Sequence, residues 1–241
     1  MRQSLVAAIA ASAMLGGCQA GAHEGAGPTV SRNYNVGNFQ QIEVDGPYDV
    51  DVRTGSNPGV SARGGEKLLE RTTVEVEGGK LVIRPEHSHS FFNFGWGGRG
   101  KATFTVTVPQ LSGAKIAGSG DISIDKVAGA NFDGAVAGSG GLDVGTLDVQ
   151  QLKLSIAGSG SLKAGTGKAQ SAKYDIAGSG DIEAAAIQTQ SLFASIAGSG
   201  GIKAHASGTA DVSIMGSGDI EVAGGAKCTV NKAGSGSARC S

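Results

Sequence analysis

From residue 111 onward, apolar and polar positions alternate with a period of two inside a longer repeat. The triplet Gly-Ser-Gly begins at Gly118, Gly138, Gly158, Gly178, Gly198, Gly216 and Gly234, four steps of 20 residues followed by two of 18. Two residues before each first glycine stands an aliphatic side chain, from Ile116 and Val136 to Ile214, until Lys232 breaks the column. Four residues after it, a second column runs from Ile122 and Leu142 to Ile220 and ends at Ala238. The positions six before and six after are apolar or small and end at Cys228 and Cys240. Between the inward columns, Asp143, Lys163, Glu183, Lys203 and Glu221 occupy a polar one. This is the alternation of a strand with one face buried. A fixed period near 20 residues is the signature of a solenoid.

The pattern predicts an all-β, single-stranded β-helix whose rungs are about 20, later 18, residues long. Helix is the losing alternative, because glycines at every rung and β-branched residues beside them both disfavour it. The glycines then serve the corners: Gly takes φ > 0 readily, and its missing side chain lets successive corners stack. The intervening serine is expected to pair its hydroxyl with the next serine along the coil or with a corner amide. A phosphate cradle does not need seven copies, and no Gly-Lys-Ser/Thr follows any of these triplets.

Residues 37–110 lack the triplet but still read as strands, at Phe39 to Val44, Tyr48 to Arg53, Val60 to Arg63, Thr73 to Glu77, Lys80 to Arg84 and Lys101 to Val108. Gly78-Gly79 predicts a hairpin turn, and Glu66 to Arg71 a short helical turn. The solenoid is therefore expected over 37–241, irregular over 37–110 and regular over 111–241.

The first residues change the picture. Met1-Arg2-Gln3, the apolar run Leu5 to Leu15, and Leu15-Gly16-Gly17-Cys18 read as a signal peptide over 1–17 that is too short to span a bilayer. The cysteine resembles that of a bacterial lipobox, so Cys18 is expected to carry lipid and to anchor the chain to a membrane. A flexible tether is expected over 18–36. Gln19 after the lipidated residue is compatible with outer-membrane sorting, on the periplasmic side or at the cell surface. With Cys18 lipidated, Cys228 and Cys240 remain as a pair in an oxidising compartment, and a disulfide follows. Their columns predict that both point into the lumen and close the last turn.

Phe39-Gln40-Gln41-Ile42-Glu43-Val44, the strand Tyr48 to Val52, Lys80-Leu81-Val82-Ile83, Val106-Thr107-Val108-Pro109-Gln110-Leu111 and Ala117-Gly118-Ser119-Gly120-Asp121-Ile122 occur in an order that resembles the bacterial family described as auto-transporter adhesin, head GIN domain. The resemblance covers nearly the whole mature chain. It implies an exported β-helical protein, often a lipoprotein, with an adhesin-like role, and it brings no catalytic or binding residues with it.

Composition narrows the function classes. Charged residues make up 17% of the chain with a formal net charge of −1, which leaves no basic footprint for nucleic acid. His87 to Arg99 holds three of the seven phenylalanines and the only tryptophan. His87, His89, Phe91, Phe92, Phe94, Trp96 and Arg99 form either a lid over an open end of the coil or a loop that docks a glycan or a protein. Two histidines alone make an incomplete metal shell, so neither metal nor cofactor is expected. The corner acids Asp121, Asp181 and Asp219 do not follow the nine-residue calcium β-roll spacing and read as solvated. The alternating signs of Asp143 to Glu221 do not converge as a glycosidase site requires, and no Ser-His-Asp set is suggested. The resulting expectation is a non-enzymatic envelope lipoprotein, adhesin-like or a structural scaffold. The alternative is a carbohydrate-binding or carbohydrate-active β-helix protein.

Overall fold

The structure, a computed structural model, describes residues 27–55, 57–86 and 101–241. It is a β-solenoid of about six turns, not a barrel. The regular coil comprises β8 (Gly113–Gly118), β9 (Asp121–Gly138), β10 (Gly141–Gly158), β11 (Ser161–Gly178), β12 (Asp181–Ala184), β13 (Ile187–Gly198), β14 (Gly201–His205), β15 (Thr209–Gly216), β16 (Asp219–Ala223), β17 (Lys227–Gly234) and β18 (Ser237–Cys240). Before it, numbered as they occur along the chain, come β1 (Thr29–Tyr34), β2 (Gln41–Asp45), β3 (Asp49–Thr54), β4 (Gly59–Gly65), α1 (Glu66–Glu70), β5 (Thr72–Glu77), β6 (Lys80–Pro85) and β7 (Thr103–Val108).

Within the coil each strand lies parallel to the equivalent strand of the next rung, and the sequence columns become stacked neighbours. Ile116, Val136, Ile156, Ile176, Ile196 and Ile214 pair in succession. So do Ile122, Leu142, Leu162, Ile182, Ile202 and Ile220. All twelve are buried. Each such side chain withdrawn from water contributes roughly 1.5–3 kcal/mol, which repeated along two ladders offsets the small mass of the rungs.

The corners show why the triplet recurs. Gly158 has φ 131°, and a Cβ added to it would stand 2.4 Å from the Gly138 carbonyl oxygen of the rung before. Gly160 has an ordinary φ, yet its Cβ would meet the Gly140 oxygen at 2.4 Å and Val136 Cγ1 at 2.6 Å. The first glycine is thus needed for conformation and for space, the second for space alone. The serine does not do what its sequence position suggests. Its hydroxyl forms no ladder and bonds no corner amide; instead its backbone N–H donates to the first glycine of the rung before, as Ser159 does to the Gly138 carbonyl at 2.9 Å.

The change from 20 to 18 residues is absorbed at the far side of the coil. Between Ala204 and Ala210, Ala206 alone takes the inward place that Ile187 and Thr189 fill one rung earlier. Thr189 stands where Val149 and Ala169 stand in earlier rungs because the shortened turn needs a polar partner. Its Oγ1 donates to the His205 carbonyl at 2.6 Å, and its own carbonyl accepts from the Ser207 amide at 3.0 Å and hydroxyl at 3.2 Å. A buried hydroxyl without such a partner would be destabilising.

The N-terminal rungs are built out of chain order. β2 and β3 form one rung around Gly46, which has φ 116° and lies against Gly118: the Gly46 amide donates to the Ala117 carbonyl, and the Gly120 amide to the Gly46 carbonyl. Val44 and Val50 extend the two aliphatic ladders by pairing with Ile116 and Ile122. On the other side of that rung, β6 pairs parallel with β2 and β7 with β3. Beyond these, β5 is antiparallel to β6, β4 to β7 and β1 to β4. The β5–β6 hairpin turns at Gly78 and Gly79, both with positive φ, and α1 buries Leu69 in the core. The expected tether to residue 36 is therefore too long: Thr29–Tyr34 is a strand, held by the otherwise open edge of β4.

The cysteines bond as expected, with an S–S distance of 2.06 Å and a Cα–Cα distance of 6.6 Å. They do not, however, lie in a closed lumen. Cys228 stacks on Ala210 and Cys240 on Val222, but among the described residues no rung covers them, so Cys228 is half-buried and Cys240 exposed. The disulfide clasps the last turn on the open end of the coil.

Candidate interaction surface

Outward columns stack as faithfully as inward ones, so each face of the coil carries a defined row of side chains. On one face Asp143, Lys163, Glu183, Lys203, Glu221 and Arg239 stack in order, with Lys203 Nζ 3.5 Å from Glu183 and Arg239 Nη1 3.5 Å from Glu221. The column is self-neutralising, and its exposed pairs are each worth at most about 1 kcal/mol. On another face Lys168 pairs with Asp148 at 3.4 Å.

A third face is concave. An open trough of about 720 Å³ runs along the coil axis. One wall is a column of amides and hydroxyls, Asn131, Gln151, Ser171, Ser191 and Thr209, stacked rung on rung. The other wall is Asp133, Lys153, Lys173, Phe193 and Asp211, and between the walls lie the inward residues Phe132, Leu152, Ala172 and Leu192. Lys153 Nζ is 3.0 Å from Asp133. Lys173 Nζ is 3.4 Å from Asp175 and 5.3 Å from the centre of the Phe193 ring, which remains 41% exposed. Phe193 interrupts an otherwise polar column, and this interruption is the sequence signal that could have located the trough.

Two charged clusters hold the ends of the coil. Glu43, half-buried, sits between Lys80 and Lys115 on the adjoining rungs, and the Lys80 hydrogen bond, supported by Lys115, holds its carboxyl below the ordinary range. At the other end Asp219 accepts hydrogen bonds from the Ser237 hydroxyl at 2.5 Å and amide at 3.0 Å, which lowers its pKa as well. That corner acid is thus a brace for the last rung rather than a merely solvated group. Among the described residues, no three His, Cys, Asp or Glu side chains form a metal-binding group. Cys18 and the aromatic segment with His87, His89, Phe91, Phe92, Phe94, Trp96 and Arg99 lie outside the described residues.

The family described as "Putative auto-transporter adhesin, head GIN domain" matches residues 38–226. The chain belongs to this family. Three solved structures carry the same fold. A putative adhesin from Bacteroides fragilis has a TM-score of 0.78 at 24% identity, over 89% of this chain and 97% of its own. One from Parabacteroides merdae has a TM-score of 0.71 at 18% identity, over 90% and 98%. A putative lipid binding protein from Parabacteroides distasonis has a TM-score of 0.70 at 25% identity, over 89% and 97%. Among curated proteins no relative matches the sequence. In this head GIN domain the matched region takes in the rung of β2 and β3, the out-of-order rung of β6 and β7, and the coil down to β16. The disulfide-clasped last rung lies beyond it.

Proposed function

We propose that this head GIN domain is a non-enzymatic, surface-exposed interaction module of the cell envelope, anchored through a lipid on Cys18 and adhesin-like in role. The observation that carries the reading is the organisation of its ionisable side chains. On the coil they are largely paired between successive rungs, as Asp133 with Lys153, Asp148 with Lys168 and Glu183 with Lys203, and the two carboxylates of the trough, Asp133 and Asp211, stand four rungs apart instead of converging. General acid–base chemistry needs groups that meet around one reacting atom; recognition of an extended partner is served by rows. Membership of an adhesin-named family supports the same reading.

One neighbour is described as a lipid binding protein. In this chain the coil interior is occupied by Phe132, Leu154, Tyr174 and the two aliphatic ladders, all buried, which argues against a lipid carried inside.

The test is adherence of cells displaying the full chain, compared with cells lacking it, to a panel of host and bacterial surfaces. Increased attachment is expected. Equal attachment on every surface would remove the adhesin reading. Labelled palmitate should enter the native chain and not Cys18→Ser, and a variant that still partitions into membranes would sink the anchor.

A further inference from the structure

We propose that the axial trough between the Asn131–Thr209 column and the Asp133–Asp211 column binds a neutral glycan chain laid along the solenoid. The proposal rests on the reading of the chain as a non-enzymatic interaction module and names what one face would recognise.

The first wall repeats one kind of chemistry. Asn131 and Gln151 each offer an acceptor oxygen and two donor hydrogens, and Ser171, Ser191 and Thr209 each offer a hydroxyl. Sugar hydroxyls also donate and accept at once, so they satisfy such a wall where a group of one polarity would not. Rungs stack at about 4.8 Å, so these five residues span about 20 Å. A pyranose unit in an extended chain advances by nearly one rung, which brings successive sugars into register with successive side chains.

The opposite wall selects against charge. Lys153 is engaged by Asp133, and Lys173 by Asp175, so a polyanion would have to displace an existing partner to reach either ammonium. With Asp211 at the same wall, the trough has no positive excess to steer a polyanion inward.

Phe193 supplies the apolar contact. Stability would be served by a polar residue at this outward position, as in the rungs on either side, yet a large ring stands there and stays accessible. Lys173 lies over it and limits its motion. The C–H face of a pyranose can pack on the accessible part of the ring, in the mixed pattern of ligand sites where apolar surface carries affinity and a few polar groups fix orientation.

An extended peptide fits less well. Peptides dock on sheets by pairing with an unpaired edge, whereas the strands under the trough, β9, β10, β11 and β13, already have a neighbour on both sides. A peptide lying along the axis would find no free edge to pair with and, at about 3.3 Å per residue, would run out of register with side chains spaced about 4.8 Å apart.

The test is titration of the purified full chain with neutral cello-, xylo- and manno-oligosaccharides of increasing length, and with polygalacturonate, by calorimetry and affinity electrophoresis. A neutral series should bind, tightening with length up to about five sugars, one per rung of about 4.8 Å, and then levelling. Binding should change little with salt. Phe193→Ala and Gln151→Leu should each weaken it by about tenfold or more, with thermal unfolding unchanged, because both side chains are at the surface. Lys163→Gln, on the alternating-charge face, should bind as the native chain does. Failure of every neutral series to bind overturns the proposal. So does binding of polygalacturonate alone with steep salt dependence, or unchanged affinity in both trough variants. Adherence separates this proposal from the reading beneath it: attachment that survives Phe193→Ala and Gln151→Leu sinks the trough and leaves the adhesin, whereas oligosaccharide binding without attachment does the reverse.

Discussion

Tyr48 donates its hydroxyl proton to Thr72, whose Oγ1 lies 3.0 Å away. The direction follows from the next link, because Thr72 Oγ1 gives its own proton to the Leu68 carbonyl at 2.8 Å. This relay ties the first corner of the coil, through the Tyr48 ring packed edge-on against Phe104 at 5.5 Å, to the end of α1. Thr72→Val breaks both links and leaves a buried phenol without an acceptor, so it should cost about 1–3 kcal/mol, against about 1 kcal/mol for Tyr48→Phe. Chemical denaturation of the two variants and their double mutant checks this. The double mutant should lose less than the sum, since one bond is shared; strict additivity would mean that the relay does not hold.

The three tyrosines of the chain predict its alkaline behaviour. Burial pushes the phenols of Tyr34, Tyr48 and Tyr174 above the ordinary value near 10, opposed at Tyr34 by Arg32. Their folded pKa values are raised. The stability they contribute is therefore fully present below pH 10 and is lost as the pH climbs through the folded values. Tyrosinate absorbance should rise at a higher pH than that of free phenols, and the last part of the rise, from Tyr174, should come together with loss of the β-sheet circular dichroism signal. Three phenols titrating near 10 in the folded chain would refute this.

The triplet can be dissected at one corner. Gly160→Ala places a methyl against the Gly140 carbonyl and Val136 and should destabilise by about 1–3 kcal/mol, as enforced strain does. Ser159→Ala should stay within about 0.5 kcal/mol, because its hydroxyl has no partner among the described residues. Thermal unfolding of the two variants decides between a structural corner and a serine kept for its hydroxyl.

Removing the clasp should loosen one end only. Cys228→Ser with Cys240→Ser opens a link across a sequence separation of 12, worth about 3 kcal/mol for a loop near that length. In a stack where each rung touches only its neighbours, the loss should appear first as fast amide exchange in β17 and β18, with the β9–β11 amides still protected. Uniformly faster exchange along the coil would contradict a local role.

Lys232 stands in the isoleucine column, opposite Ile214, on a rung that no other described residue covers, near the 45% exposed Val230. A charge on an inward position of an edge strand is a device against edge-to-edge pairing. Lys232→Ile should make the chain associate through this end, with an apparent mass in sedimentation that grows with concentration. A variant that sediments as the native chain does would show that the lysine has no such role.

Much of this molecule was legible before folding because a solenoid writes its contacts into its period. Ile156 stacks between Val136 and Ile176 because each rung ends where the next begins, so column alignment found both ladders and the corner glycines, while cysteine arithmetic in an oxidising compartment gave the pairing of Cys228 with Cys240. The β5–β6 hairpin was equally plain, since its turn is local. Tertiary structure alone decided the start of the coil. Val44 lies between Ile83 and Ile116, and β1 lies on β4 antiparallel, at separations that no repeat encodes. Gly46 is a corner like the later seven, and its Val44 and Val50 obey their spacing, but the insertion of β4 to β7 hides the period there. The trough and the exposure of Cys240 also needed the fold: a period assigns a side chain to a column, whereas its access to solvent depends on how the wall curves and on whether another rung lies above it.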